Sequence, residues 1–236
     1  MKRLFLFDID GTILNMEPGV ARQILTELLG ELFGASVRAR AIPPFRGMTD
    51  LAIIRHISSA CGIPHAAVAP RFEEIFARAA EKFREYMSPK FLTLLPGVAK
   101  LITELAKRPD VELGLLTGNF RQNAYLKLAC FGLDKYFSFG AFGDDHEDRN
   151  LLGALAIERG NAIYGQGTFS PDRTYVVGDT ERDVACAKSC GAKSIAVATG
   201  GVPADVLRES APDVLLHSFE DVGAALSKIE SLIKSH

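Results

Sequence analysis

An apolar run near the start of the chain ends in two acidic residues, and this combination most restricts the possible fold. Five of the six residues from Leu4 to Ile9 are apolar, and the acids are Asp8 and Asp10. A continuous apolar run of this length is typical of a strand that is buried on both faces of a parallel sheet. A carboxylate beside a protein core is costly unless it is paired or binds a metal. The sequence therefore predicts a buried strand whose end carries a functional site.

The rest of the chain predicts where such a strand would lie. Residues 16–88 show helical spacing of apolar residues, whereas after Pro89 short apolar segments alternate with helical patterns. This alternation is typical of βα units around a parallel sheet. We expect an α/β fold, a doubly wound (Rossmann-like) parallel sheet with a helical insertion after the first strand. The expected core is 1–15 and 89–236, and the expected insertion is 16–88.

Composition narrows the possible partners. The chain of 236 residues has a formal net charge of −2, so it lacks the basic excess typical of proteins that bind nucleic acid or anionic membranes. No apolar run approaches the length of a membrane span, and the early apolar run stops too soon for a secretory leader. The four cysteines form no CxxC motif. We therefore expect a cytoplasmic protein with free thiols and no nucleic-acid or membrane partner; its oligomeric state is not indicated.

Polar residues follow three of the predicted strands, and parallel sheets bind ligands beyond the carboxyl ends of their strands. These residues are Asp8 and Asp10 after the first strand, Thr117, Gly118 and Asn119 after VELGLL, and Asp179 and Asp183 after TYVVG. Acids brought together in this way repel one another unless a cation lies between them. An all-oxygen ligand set favours Mg²⁺.

The residue types fit phosphoryl transfer. Asp8 and Asp10 are two positions apart, so both can reach one small volume, where one carboxylate attacks phosphorus and the other carries protons. The Thr117 hydroxyl and the Gly118 N–H can donate hydrogen bonds to phosphate oxygens. Asn119 is a further phosphate-binding candidate, with the alternative that it caps the following helix.

The segments DIDGT, LLTGN and VVGDTERD, in this order, resemble the motifs of the haloacid dehalogenase superfamily, specifically its phosphoglycolate-phosphatase-like branch with a helical cap. The resemblance implies that Asp8 is the nucleophile and that Asp10 protonates the leaving oxygen and then activates water. It implies that Asp8, the backbone carbonyl of Asp10 and Asp179 hold Mg²⁺, with Asp183 supporting the metal site, and that Thr117 binds phosphate. Asp183 also fits a capping box with Thr180.

The chain departs from the family pattern at one position. The family has a phosphate-binding lysine between the second and last motifs, but no lysine occurs here between Lys135 and Lys188. Arg149 opens a helix near the expected place, and we predict that it takes the phosphate role. Arg159 stands near a helix end, where a cation favours the helix dipole.

The predicted cap contains a loop that can face the site. In FRGMTD, Arg46, Gly47 and Thr49 are candidates for contacting the substrate's leaving group. The alternative is that Thr49 is the N-cap of the next helix and Arg46 lies in solvent.

Together these features predict a magnesium-dependent phosphomonoester hydrolase that acts through an aspartyl-phosphate intermediate. The expected substrate is a small phosphorylated metabolite: phosphoglycolate-like, a sugar phosphate or a nucleotide monophosphate. Two alternatives remain at this point. One is a phosphomutase of the same fold, and the other is a phosphate-binding module without catalytic activity.

Overall fold

The computed structural model describes residues 2–34 and 45–234. Its main sheet has six strands in the order β5-β4-β1-β6-β7-β8, and every neighbouring pair is parallel. The strands are β1 (Arg3–Phe7), β4 (Val111–Leu116), β5 (Gly140–Ala141), β6 (Thr174–Gly178), β7 (Lys193–Val197) and β8 (Val214–Leu216). The strand β1 is central, and the chain adds β4 and β5 on one side of it and β6 to β8 on the other. A ligand crevice is expected where the strand order reverses in this way, beside the end of β1.

Helices cover both faces of the sheet, which confirms the doubly wound architecture. The helices in the part of the chain after Pro89 are α5 (Val98–Ala106), α6 (Arg121–Ala129), α7 (Leu152–Tyr164), α8 (Glu181–Ser189), α9 (Ala204–Glu209) and α10 (Val222–Lys234). Phe5 and Phe7 pack among side chains of α5 and α10, while Leu4 and Leu6 pack among those of α7 and α8. Alternate residues of β1 thus enter two separate clusters, so the whole strand is apolar.

The segment after β1 is helical, as predicted. It contains α1 (Val20–Phe33), α2 (Asp50–Ala60), α3 (His65–Val68) and α4 (Phe72–Arg84). These helices share an apolar cluster that includes Leu28, Ile54 and Ile75. The division into a core of 1–15 and 89–236 and a cap of 16–88 stays a prediction.

Two short strands were not predicted. β2 (Leu14–Met16) and β3 (Leu92–Leu94) pair antiparallel where the chain enters and leaves the helical segment. Three residues are too few to show an alternating pattern, and the partners are far apart in sequence. The pairing was therefore not visible from local periodicity.

Two predicted helices also differ in detail. The pattern after Pro70 begins with a 3₁₀ turn (Ala69–Arg71) before α4, and the helix predicted from Arg149 begins with a 3₁₀ turn (Arg149–Leu151) before α7. Such turns are frequent at helix ends. In the part of the chain that the structure describes, no helix is long and apolar enough to cross a membrane.

Gly97 makes a close backbone contact with the segment between β8 and α10. It precedes α5 with a φ of +79°, and a Cβ added there would lie 1.7 Å from the carbonyl oxygen of Phe219. Gly132 has a similar φ of +63°, but a Cβ there would meet nothing within 4 Å. The two glycines share the left-handed conformation and differ in the space around them.

We expect Gly97→Ala to lower the free energy of unfolding by more than about 3 kcal/mol, because backbone strain and a backbone clash act together. Gly132→Ala, the matched control, should lose only about 1–2 kcal/mol, since only the left-handed conformation is penalised. Urea unfolding of both variants measures the difference. Equal losses would show that the contact with Phe219 is relieved at little cost.

Candidate functional site

The end of β1 directs two carboxylates into different surroundings. The Asp8 N–H donates to Val177 in the neighbouring strand β6, and its side chain is 5% exposed. The side chain of Asp10 is 40% exposed. Gly11, with a φ of +84°, turns the chain away immediately afterwards. One acid is therefore buried beside the sheet and the other borders the cleft.

Three buried acids form a candidate metal centre. Asp8, Asp179 and Asp183 each offer an oxygen, and these oxygens all lie within 4.8 Å of one another. The carboxylate of Asp179 occupies a narrow slot: a Cβ on Gly200 or on Gly11 would lie 1.6 or 2.3 Å from its Oδ2. Burial, reinforced by Asp183 and Asp8, raises the pKa of the Asp179 carboxyl well above its ordinary range. A cation there would offset this penalty, and the all-oxygen donor set fits a hard cation such as Mg²⁺.

Arg149 lies against two of these acids. Its Nη2 is 3.2 Å from Asp8 Oδ1, and it donates to Asp183 Oδ1 at 2.5 Å and to the Leu116 carbonyl at 3.3 Å. Burial opposes the charge of Arg149, but Asp183 and Asp8 outweigh this effect and raise its pKa. Its buried Nε has no hydrogen-bond partner among the described residues. The structure therefore brings Arg149 to the nucleophile candidate, and its predicted role in binding phosphate stays a prediction.

The surroundings of Asp8 combine opposing influences. Burial raises the pKa of its carboxyl, Arg149 lowers it, and the nearby acids Asp183 and Asp10 raise it again. The net effect is upward. A cation beside Asp8 would therefore favour the ionised form that a nucleophile requires.

Arg159 lies elsewhere. Its guanidinium donates to both carboxylate oxygens of Asp145 and to the Gly140 carbonyl. Asp145 in turn accepts from the N–H of Phe142. Arg159 thus supports the loop after β5 and does not contact the acid cluster. The sequence suggested only that its charge favours a helix dipole, whereas the structure shows specific contacts with this loop.

Asp183 uses its two oxygens for two purposes. Its Oδ2 accepts from the N–H of Thr180 at 3.0 Å and from the Thr180 hydroxyl at 2.6 Å, which completes the capping box of α8. Its Oδ1 accepts from Arg149. The two interpretations of the sequence are therefore compatible, because the cap fixes Asp183 in place beside Arg149.

The segment after β4 presents a hydroxyl donor. Thr117 is fully buried, and its Oγ1 accepts from the Asn119 N–H at 3.3 Å and from Asn119 Nδ2 at 2.9 Å. With both lone pairs used, its own proton remains to donate. Asn119 does not cap α6, whose N-cap residue is Phe120. At Gly118 a Cβ would lie 2.0 Å from the Met48 carbonyl, so glycine permits the close approach of the helical segment.

The site also contains Lys127, which the sequence pattern did not predict. Lys127 Nζ donates to Asp10 Oδ1 at 2.8 Å, to Asp10 Oδ2 at 2.6 Å and to Asn119 Oδ1 at 2.7 Å. It is only 2% exposed. One signal was present: Asn123 and Lys127 are four residues apart and share one side of α6, Asn119 precedes Asn123 by the same spacing just before the helix, and all three are buried. A buried polar stripe on a helix beside a strand end indicates a site.

The three candidates in the loop before α2 all contact the core. The exposed Arg46 donates from Nη1 to the Gly201 carbonyl at 3.1 Å. Gly47, with a φ of +64°, lies so close to α8 that a Cβ would be 2.8 Å from Thr180 Oγ1. Thr49 is the N-cap of α2, and its hydroxyl also donates to the Glu147 carbonyl at 2.8 Å. The loop therefore covers the strand ends, and the hydroxyl of Thr49 is already engaged.

Asp50 joins the helical segment to the start of α6. Its N–H donates to the Gly118 carbonyl at 2.7 Å, and its Oδ2 accepts from the N–H of Phe120 at 2.8 Å. Phe120 has no side chain that can cap α6, so a carboxylate from a distant segment satisfies this N–H. Burial raises the pKa of the Asp50 carboxyl to about 7, despite that hydrogen bond and the nearby Lys127.

This raised pKa makes the effect of Asp50→Asn on stability depend on pH. The folded protein binds the Asp50 proton more tightly than the unfolded chain, so this carboxyl lowers stability progressively as pH rises from about 4 to 7. Asparagine keeps an acceptor for Phe120 without a charge. We expect the stability of Asp50→Asn relative to the unmodified chain to increase by roughly 2–3 kcal/mol between pH 5 and pH 8.

Urea unfolding in EDTA at both pH values measures this difference. The control is Asp172→Asn, since Asp172 is exposed and should give the same small difference at both pH values. A constant difference for Asp50→Asn would mean that its carboxyl is ionised at both pH values in the folded protein.

The arrangement can therefore support phosphoryl transfer. It places one buried carboxylate beside a guanidinium and a candidate cation centre, a second and partly exposed carboxylate two residues further on, and a hydroxyl donor just after β4. These are the groups needed for nucleophilic attack, proton transfer and stabilisation of charge.

Comparison with known proteins agrees with this geometry. The family model described as haloacid dehalogenase-like hydrolase matches residues 5–197. A phosphoglycolate phosphatase from Synechococcus elongatus is 29% identical over 231 residues, which cover 95% of this chain and 97% of that protein.

Solved structures share the fold. A β-phosphoglucomutase from Clostridium difficile superposes with a TM-score of 0.70 at 17% identity, with 99% of each chain covered. CbbY from Rhodobacter sphaeroides, solved in complex with phosphate, gives a TM-score of 0.65 at 21% identity, with 94% of this chain and 97% of that chain covered. From its motifs, its fold and these relatives, the chain belongs to the haloacid dehalogenase-like hydrolases and is a phosphatase of their phosphoglycolate-phosphatase-like branch.

Proposed function

We propose that the protein is a magnesium-dependent phosphomonoester hydrolase that forms an aspartyl phosphate on Asp8. The observation that carries the proposal is the position of Asp8, buried between Arg149 and the acid cluster, with Asp10 two residues away at the cleft. A phosphate-binding module needs no nucleophile or proton carrier. The presence of both carboxylates therefore favours a catalyst.

The candidate metal ligands are Asp8, Asp179 and the backbone carbonyl of Asp10, with Asp183 in support. When bound, Mg²⁺ supplies positive charge that reduces repulsion between an anionic nucleophile and the phosphate dianion. Asp183 contributes by holding Arg149 through its Oδ1 while its Oδ2 is fixed by the cap of α8. This connection keeps the guanidinium beside Asp8.

In the first half of the proposed reaction, a carboxylate oxygen of Asp8 attacks phosphorus, and the bond from phosphorus to the leaving oxygen breaks. Asp10 gives its proton to that oxygen, so the leaving group departs as an alcohol. The Thr117 hydroxyl donates to a phosphate oxygen, and the Gly118 N–H, Asn119 and Arg149 are the other proposed phosphate contacts. Arg149 is proposed to use a nitrogen other than Nη2, which already contacts Asp8 and Asp183.

In the second half, Asp10 accepts a proton from a water molecule as the water oxygen attacks phosphorus. The bond between phosphorus and Asp8 breaks, which releases inorganic phosphate and restores the Asp8 carboxylate, while Asp10 is again protonated. The same residue thus acts first as an acid and then as a base, and its place at the cleft lets it reach both the leaving oxygen and water.

The proposed substrate is a small phosphorylated metabolite: phosphoglycolate-like, a sugar phosphate or a nucleotide monophosphate. The loop of Arg46, Gly47 and Thr49 lies over the strand ends, which supports a role for this loop in discriminating between leaving groups. Arg46 is the strongest candidate, because it is exposed and makes one hydrogen bond, to a backbone carbonyl. A cytoplasmic site of action belongs to this proposal.

The function can be tested with a panel of small phosphate esters, measuring both phosphate release and isomeric products. We expect phosphate release that stops in EDTA and returns with Mg²⁺, and we expect Asp8→Asn to be inactive but folded, since an amide is a poor nucleophile. The matched control is Asp172→Asn, an exposed acid far from these contacts. Isomerised phosphate esters without release would identify a phosphomutase, and binding without turnover would identify a phosphate-binding module.

Arg149 provides a second test of the same proposal. We expect Arg149→Ala to lower kcat/KM by about 10²-fold or more, because a charge partner of the transition state is lost. Since Nη2 makes the three described contacts of Arg149 and another nitrogen is proposed to contact phosphate, we expect Arg149→Lys to recover only a small part of the loss. Steady-state kinetics measures both variants.

The control for this substitution is Arg159→Ala, which should lower stability and leave kcat/KM nearly unchanged, because Arg159 contacts the loop after β5. A wild-type rate in Arg149→Ala would contradict the assignment. Full recovery in Arg149→Lys would show instead that a single charged nitrogen is sufficient and that the planar, two-pronged geometry of arginine is not required.

A further inference from the structure

Lys127 is a buried cation, and its three N–H donors are all directed to two neighbouring residues. It lies in α6 at 2% exposure, and an ammonium group has three N–H donors. These reach Asp10 Oδ1, Asp10 Oδ2 and Asn119 Oδ1 at 2.8, 2.6 and 2.7 Å. The lysine therefore has no described N–H donor left for phosphate, and it contacts neither Asp8 nor the acids of the metal centre within ion-pair distance in the part of the chain described.

The contacts make the two oxygens of Asp10 different. Oδ2 accepts from Lys127 at 2.6 Å and from Asn119 Nδ2 at 2.7 Å, so both of its lone pairs are occupied. Oδ1 accepts from Lys127 at 2.8 Å and keeps one lone pair. The side chain of Asp10 is 40% exposed to the cleft although its partner is enclosed. One oxygen is thus anchored, and the other can exchange a proton.

A purely structural role explains these contacts less well. Burying an ammonium group is costly, and an apolar side chain of similar volume often serves stability equally well or better. The carboxylate bound by Lys127 is moreover the one to which the mechanism assigns both proton transfers. Asn119 connects this pair to Thr117, the proposed phosphate donor, through its Nδ2.

We propose that Lys127, together with Asn119, is a positioning residue that fixes the Asp10 carboxylate so that Oδ1 carries the catalytic proton. This inference rests on the proposed function. In the first step the proton moves from Oδ1 of Asp10 to the leaving oxygen as the phosphorus–oxygen bond breaks, and in the second it returns to Oδ1 from water. Lys127 keeps its three protons throughout and acts only through Asp10.

The first test compares two substrates. An alkyl phosphate needs a proton on its leaving oxygen, whereas the p-nitrophenolate of p-nitrophenyl phosphate departs without one. We expect Lys127→Met to lower kcat/KM by about 10- to 100-fold for the alkyl phosphate and several-fold less for p-nitrophenyl phosphate, since it impairs a proton transfer. Lys135→Met, at an exposed lysine after α6, is the matched control and should change neither value.

The second test is a double-mutant cycle with Asp10→Asn, measured on the alkyl phosphate, for which the loss in Lys127→Met alone is expected to be large. If Lys127 acts through Asp10, Lys127→Met should cause no further loss of kcat/KM in the Asp10→Asn background. A loss of the same factor in both backgrounds would overturn the inference, as would equal losses for the two substrates.

Folding is checked by urea unfolding of each variant. If Lys127→Met does not fold, Lys127→Arg is used in its place, since it keeps the charge and displaces the donors; the same unequal losses support the inference and equal losses overturn it. Failure of the proposed function is distinguishable: the wild-type protein would then release phosphate from neither ester, and both conclusions would fall. An active wild-type enzyme with independent Lys127 and Asp10 effects removes only the inference.

Discussion

The ion pairs of Arg149 with Asp8 and Asp183 allow acids to stand where buried strands end. Each of these three side chains is at most 7% exposed, so each charge would be costly on its own. Joined, they hold a nucleophile candidate, a guanidinium and the capping acid of α8 in one arrangement. Asp179, the third acid of the candidate metal centre, forms no ion pair with Arg149 or with another described cation. A bound metal ion would neutralise its charge.

A second buried cation, Lys127, forms an ion pair with the other acid of this motif, Asp10. This lysine lies within α6 and not in a segment that follows a strand. The two carboxylates of DIDGT therefore differ both in their ion-pair partners and in their exposure to solvent. Asp8 faces a guanidinium within the sheet edge, and Asp10 faces an ammonium and an amide at the cleft. Identical side chains two residues apart can therefore serve different steps of one reaction.

Close backbone contacts join the helical segment to this site. The carbonyl of Met48 lies where a side chain at Gly118 would be, and Asp50 accepts a hydrogen bond from the N–H of Phe120 at the start of α6. The same helix carries Lys127. Contacts made by the loop before α2 are thus continuous with those that hold Asp10, and any movement of this loop away from the core would break the hydrogen bond between Asp50 and Phe120.

The sequence by itself determined the sheet, the acids at its edge and the family. The continuous apolar run of β1 and the βα alternation after Pro89 are local patterns. Together they predict that Asp8 and Asp10 lie at the edge of the sheet. Arg149 was also predictable, because it opens a helix in a stretch with few basic residues. Local pattern was sufficient for these features because burial on two faces leaves few alternatives for a strand.

Only the tertiary structure decided which polar side chains meet. Lys127 is 117 residues from Asp10, and its pattern alone does not distinguish a solvated helix face from a buried one. Thr49 fitted both a helix cap and a substrate contact until the fold placed the Glu147 carbonyl beside its hydroxyl. The short strands β2 and β3 likewise depend on a partner far along the chain. Pairing between distant segments is set by how the elements pack, and a local sequence pattern carries no record of it.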